Sequence, residues 1–200
     1  MSNTTATPLR NAATVISVVF NPLLLPAATF PSLLAFADRP VGVRLASIAV
    51  AVAFSTVIPA AFVLFLMKRG RVESADIEIK EQRMTPFAVG VASYALGAAA
   101  LFALQSSPIA EALMVCYATN TVATLVITRW WKISAHAIGI SGPLVALHYQ
   151  FGSPLIPFYA LIPLVAGSRV ILRKHTTGQV VAGAVLGLGL TAAQLAWLLS

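Results

Sequence analysis

Long apolar stretches alternate with short polar connections along the chain. They cover roughly residues 13–37, 41–67, 86–104, 108–130, 134–150, 154–171 and 177–199. A helix needs ~20 apolar residues to cross a bilayer, within a range of ~17–25. The pattern therefore predicts an all-α fold, a polytopic transmembrane bundle of six to seven membrane helices in a single domain spanning 1–200. The fifth and sixth stretches sit at the short end of that range. The first carries Pro22, Pro26 and Pro31, which predicts a kinked or partly inserted helix. Ala35-Phe36-Ala37 has the form of a signal-peptide cleavage site, but the apolar run before it exceeds the ~7–15 residues of a signal core. The first stretch is read as a membrane helix.

Composition agrees with this reading. Of 200 residues, 58% are hydrophobic and 10% charged, against about one quarter charged in a soluble domain. The mean hydropathy is +0.88. A soluble protein with a very large core does not account for such a chain, because too little polar surface is left to cover it. The net charge of +7 does not point to nucleic acid, since membrane proteins collect Lys and Arg in their cytoplasmic loops. The single cysteine, Cys116, lies inside an apolar run, so no internal disulfide and no Cys-His metal spacing exists.

The cations instead report topology. With alternating crossings, all of the thirteen Lys and Arg residues except Arg39 and Arg44 fall on one side of the bilayer. The positive-inside rule makes that side cytoplasmic, together with the N-terminus and the polar loops. An integral membrane protein of a bacterial-type inner or plasma membrane is expected. The longest polar loop, Lys68 to Thr85, holds Glu73, Asp76, Glu78 and Glu81. Asp76, Lys80 and Arg83 are spaced i, i+4 and i+7, which would place them on one helix face. Pro86 fits the first turn of the helix that follows. Gly183 and Gly187 form a small-xxx-small face for close helix packing within the bundle, a face that can also carry a homodimer.

Three polar clusters, 76–83, 129–136 and 168–179, are separated by pairs of apolar stretches, so topology brings them to the same face. They contain two of the three histidines, His136 and His175; His148, beside Tyr149, belongs to the opposite boundary. Ionisable groups near membrane depth are costly and are usually functional or paired. Arg169 offers a fork of donors for phosphate oxygens. Thr176 or Thr177 can cap the last helix and leave its N-terminal N–H groups nearby. Gln179, one turn beyond His175, can reach back to the imidazole. The arrangement is a phosphate site with a candidate nucleophile in it.

Ser168-Arg169, five residues, then His175 resembles the third motif of the type 2 phosphatidic acid phosphatase superfamily, which includes vanadium haloperoxidases. Ser134-Ala135-His136-Ala137 resembles its second motif, usually Ser-Gly-His after proline. The 39 residues from His136 to His175 also suit the family, and the resemblance covers mainly residues 129–190. It implies that His175 attacks phosphorus to form a phosphohistidine, that Arg169 stabilises the equatorial oxygens, and that His136 protonates the leaving group. It implies no metal and no other cofactor.

The chain departs from the family pattern in three places. Gln179 stands where the family has an aspartate, and an amide can orient an imidazole but supplies no charge to it. Ala135 and Ile133 replace a glycine and a proline. The first motif, Lys, six residues, then Arg-Pro, is absent; Lys80 with Arg83 is one substitute pair and Arg129 with Lys132 another. Ser134, Lys80, Arg83 and Lys132 therefore join Arg169 as candidate phosphate-binding residues, with His175, His136 and Gln179 as the catalytic set.

The expected substrate is a lipid phosphate or an isoprenyl phosphate or diphosphate, with membrane lipids as surroundings. The alternative is a relative without turnover that binds a lipid head group or a partner. A transporter or channel is disfavoured because Glu111 is the lone acid of the central stretches. An intramembrane prenyltransferase needs paired aspartate-rich motifs, and the chain has only Asp38 and Asp76.

Overall fold

The computed structural model describes residues 6–200, all helical or irregular with no strand among them. The first apolar stretch is not one helix. Helix α1 (Ala6–Val19) stops before Asn21, whose side-chain Oδ1 accepts the Leu23 N–H at 2.9 Å in a local turn. Helix α2 (Pro26–Ala35) then starts with Pro26, whose missing N–H costs nothing in a first turn. Pro22 lies in the turn and Pro31 inside α2. At 14 and 10 residues, neither helix reaches the length of a span.

Among the described residues, five helical stretches are long and apolar enough to cross a membrane: Val41–Lys68, Lys80–Ala103, Pro108–Thr128, Ser153–Ile171 and Thr177–Leu198. The first of them is α3 (Val41–Val52), a π-helical turn (Ala53–Val57) and α4 (Ile58–Lys68) in unbroken succession. The π turn sits just before Pro59, which has no N–H to offer the preceding turn. One carbonyl of the disturbed region, Phe54 O, accepts the Ser93 hydroxyl at 2.6 Å.

Helix α5 (Met84–Ala103) follows a 3₁₀ turn (Lys80–Arg83) and carries Pro86 in its first turn, as expected from the sequence. Helix α6 (Pro108–Thr128) returns beside it. Helix α7 (Ala135–Phe151) has 17 residues and contains Pro143. A 3₁₀ stretch (Ser153–Ala160) leads into α8 (Leu161–Ile171), and α9 (Thr177–Leu198) closes the bundle.

The largest apolar core joins α2, α5, α6 and α9 through Phe30, Leu33, Leu34, Leu101, Leu113, Met114 and Leu195. Leu45, Leu64, Leu96, Val185 and other large apolar residues face outward, as a lipid-facing bundle requires. Trp130 and Trp197 are exposed at opposite ends of the helices, where indoles favour the membrane–water interface.

Helices α7 and α9 touch backbone to backbone. A Cβ on Gly183 would lie 2.7 Å from Ser134 O, and one on Gly187 would lie 2.8 Å from Ile138 O. This is the small-residue face read from the sequence, used inside the bundle. Within the chain, α7 fills this face. The same contact sets the site: Ser134 N donates to Gln179 O at 3.3 Å, tying the start of α7 to the start of α9.

Candidate functional site

The clusters 76–83, 129–136 and 168–179 meet at one end of the bundle. His175 lies in the turn before α9, just ahead of its N-cap. Thr176 Oγ1 accepts the Gln179 N–H at 3.4 Å, and Gln179 Oε1 accepts the Thr176 N–H at 3.2 Å, a reciprocal capping box. The backbone N–H of Thr176 can only donate, so the atom it faces is the amide oxygen. The same oxygen lies 3.1 Å from His175 Nδ1. Nδ1 therefore carries the proton, and the lone pair sits on Nε2. Gln179 orients the nucleophile candidate as the sequence suggested, and caps the helix with the same atom.

Burial, then the Arg83 guanidinium, push the His175 imidazole down to about 4, with Arg169 and Lys132 adding to this against the Gln179 hydrogen bond. At neutral pH it is an uncharged imidazole with a free lone pair, the form a nucleophile needs.

His136 is the second residue of α7 and is buried. Its Nε2 lies 3.2 Å from Ser17 O and 3.4 Å from Ser17 Oγ. A carbonyl only accepts, so Nε2 carries the proton. Ser134, expected to touch phosphate, is instead the N-cap of α7: its hydroxyl accepts the Ala137 N–H at 3.4 Å and is fully buried.

Arg169, in the last turn of α8, is 1% exposed. One terminal nitrogen donates to both carboxylate oxygens of Asp76, at 2.8 and 2.6 Å, and the other donates to Ser17 Oγ at 2.5 Å. Burial pushes the Asp76 carboxyl up. The hydrogen bonds and charge of Arg169, with His136 and Arg83, more than reverse this and leave it below its ordinary value. The shared helix face expected for Asp76, Lys80 and Arg83 does not form. Residues 71–79 are bends and irregular chain, and the helical turn begins only at Lys80.

Arg83 is buried beside the site, with Nε donating to Ile77 O at 2.6 Å and a terminal nitrogen 3.4 Å from Ile133 O. Lys80 turns away, to Arg129 O at 3.2 Å and Glu81 at 3.7 Å. Lys132 is half-buried; burial first, then Arg83 and Arg169, lower its ammonium below the ordinary value against the opposing pull of Asp76. Arg83 is thus the member of the first substitute pair that enters the site, and Lys132 the member of the second that feels it.

A cavity of about 140 Å³ opens beside these residues. Asp76, Arg83, His136 and His175 line its polar end, and it continues past Asn120 and Thr191 to Tyr94, Leu113, Cys116 and Tyr117. On α6 its wall runs from Thr124 to Leu113, ~16 Å of helix at ~1.5 Å per residue and half of a ~30 Å hydrocarbon layer. A polar mouth over an apolar shaft suits an anionic head with an apolar tail. Three cations, Arg83, Lys132 and Arg169, face a single carboxylate, so the mouth keeps an excess of positive charge. Among the described residues, no group of three or more His, Cys, Asp or Glu side chains is placed to hold a metal ion.

Sequence reasoning missed Ser17. It binds Arg169 through its hydroxyl and His136 through its carbonyl, and its only signal was a hydroxyl inside the run Val15-Ile16-Ser17-Val18-Val19. The partnership of Asp76 with Arg169 was also missed, since the two are 93 positions apart. Comparison of the chain with protein-family models, with curated proteins and with solved structures gave no match.

Proposed function

We propose that this chain is an integral membrane phosphatase that hydrolyses a lipid phosphate or an isoprenyl phosphate or diphosphate through a phosphohistidine. The observation that carries the reading is His175: a neutral imidazole with its lone pair on Nε2, at the mouth of a cavity shared with Arg83 and His136 and continuing as an apolar shaft. Nε2 attacks phosphorus as the P–O bond to the leaving group breaks. Arg83, and Arg169 once freed, take the charge that develops on the equatorial oxygens. His136 gives its Nε2 proton to the leaving oxygen, which replaces Ser17 O as its partner. Water then cleaves the P–N bond, and Gln179 holds the His175 ring throughout.

In this reading α7 crosses the membrane with the five longer stretches, because it joins the site end of α6 to the far end of α8. The cation-rich site end is cytoplasmic by the positive-inside argument. Labelling of single cysteines at positions 70–82 from outside intact cells would contradict that orientation.

The test is phosphate release from phosphatidate, phosphatidylglycerol phosphate and prenyl diphosphates by purified protein. Wild type should turn over at least one of them, and His175→Ala should not. A second reading, head-group binding without turnover, is favoured by one specific feature: Gln179 brings no negative charge to His175. Absence of release across the whole panel would select it.

A further inference from the structure

We propose that Asp76 is a resident anion in the phosphate seat of Arg169, and that it makes the site selective for terminal, doubly charged phosphate groups over phosphodiesters. The inference rests on the phosphatase reading for its substrate and on independent geometry for the latch itself. Arg169 is not part of the cavity wall, whereas Asp76 is; an anion entering the cavity meets the carboxylate before the guanidinium. The Arg169 nitrogen that grips both oxygens of Asp76 is the donor a phosphate would need.

The carboxylate is delivered by a strap, residues 74–79, fastened by the cations of this end. Arg83 Nε holds Ile77 O at 2.6 Å, Lys174 pairs with Glu78, and Ser74 Oγ donates to Asp76 O at 3.0 Å. Arg83, Lys174 and Arg169 thus all donate into one short segment. A binding anion must exchange with it.

The exchange discriminates by charge. A phosphate monoester or terminal diphosphate brings two negative charges and three terminal oxygens. A phosphodiester brings one charge and two terminal oxygens, the same as the carboxylate, which also has the advantage of being tethered. The dianion can displace Asp76, and the monoanion gains nothing by doing so. Asp76 is therefore a specificity-determining residue acting by competition, and membrane phosphodiesters, the bulk of the surrounding lipid, are kept off Arg169.

The experiment is calorimetric titration of the full chain in detergent with inorganic phosphate and with dimethyl phosphate, for wild type, Asp76→Asn and Asp76→Glu. Wild type should prefer phosphate by about tenfold or more, Asp76→Asn should bind both probes more tightly with a preference below about threefold, and Asp76→Glu should resemble wild type. Weaker phosphate binding by Asp76→Asn, or an unchanged preference, overturns the proposal. A Ser74→Cys probe in the wild-type background supplies a readout that does not need Asp76→Asn to fold. Phosphate should speed its alkylation as the strap lifts, with buried Cys116 silent, and indifference to phosphate counts against the latch. Turnover measured in parallel separates the two claims. Release abolished by His175→Ala with an unchanged preference in Asp76→Asn removes the latch alone, whereas a changed preference without release from any lipid removes the phosphatase reading alone.

Discussion

Nδ1 of His175 lies 3.1 Å from Oε1 of Gln179, and that oxygen also accepts the Thr176 N–H at 3.2 Å. One amide oxygen sets the tautomer of the imidazole and caps the helix behind it. Gln179→Leu should therefore lose twice. The Gln179 half of the capping box is lost while the Thr176 hydroxyl still caps, which costs up to ~1 kcal/mol of stability, and the imidazole loses its fixed tautomer, with turnover falling by about 10² or more. Thermal unfolding in detergent and kcat on the same preparation separate the losses. Gln179→Glu keeps the cap and adds a charge, so the cap-dependent stability should stay.

The same pair predicts a pH profile. His175 is held down to about 4, so the imidazole stays unprotonated, and kcat/KM should keep its His175-dependent plateau down to that pH. A carboxylate at Gln179→Glu favours the imidazolium and should move the acid limb upward. Stability carries the opposite signature from a salt-bridged histidine. An unfolded His takes a proton near ~6.5, while the folded one resists until about 4. Between these values the unfolded state binds more protons, so the His175 contribution falls as pH drops through that window and levels off below it. Unfolding midpoints of wild type and His175→Gln across that window check the sign.

Arg169 and Asp76 should behave as a coupled pair. Arg169→Leu alone strands a half-buried carboxylate and removes a buried cation's packing, a loss of ~3–5 kcal/mol. Arg169→Leu with Asp76→Leu should recover much of the stability and none of the turnover. A double-mutant cycle on unfolding midpoints, with activity beside it, distinguishes this from simple core damage.

Ser17→Ala removes the hydroxyl that accepts from Arg169 but keeps the carbonyl that holds His136. A buried guanidinium N–H left without a partner costs ~1–3 kcal/mol. Turnover should fall with Arg169 misplaced, while Ser17→Thr, which restores a hydroxyl, should recover most of it if the added methyl fits. Unfolding midpoints and kcat for both variants give the comparison.

The α7–α9 contact is a further check on how the site is built. Gly183→Ala and Gly187→Ala drive a Cβ into Ser134 O and Ile138 O, backbone atoms that cannot swing aside. Each should cost ~1–3 kcal/mol and pull His136 away from His175. Gly189→Ala meets nothing within 4 Å and serves as the neutral control.

Much of this site was legible in the sequence because its framework is local or topological. Gln179 reaching His175 is one turn of helix, and the meeting of 129–136 with 168–179 follows from counting apolar stretches. Asp76 was misread because i, i+4, i+7 spacing implies a helix only when an apolar stripe accompanies it. Here Ile77 is buried and Ile79 exposed in irregular chain, and the cations bind the backbone and carboxylates of the strap instead. Ser17 was invisible because its partners are more than a hundred positions away. The first stretch looked like one span because hydropathy does not register where a proline lacks an N–H; Pro22 and Pro26 divide it.

The central claim is that His175 Nε2 becomes covalently bonded to phosphorus. Protein quenched in alkali during turnover of a lipid phosphate, then digested for mass spectrometry, should carry one phosphoryl group on His175, in wild type and not in His175→Ala. Phosphate release by His175→Ala at the wild-type rate, with no phosphohistidine in either protein, would contradict it.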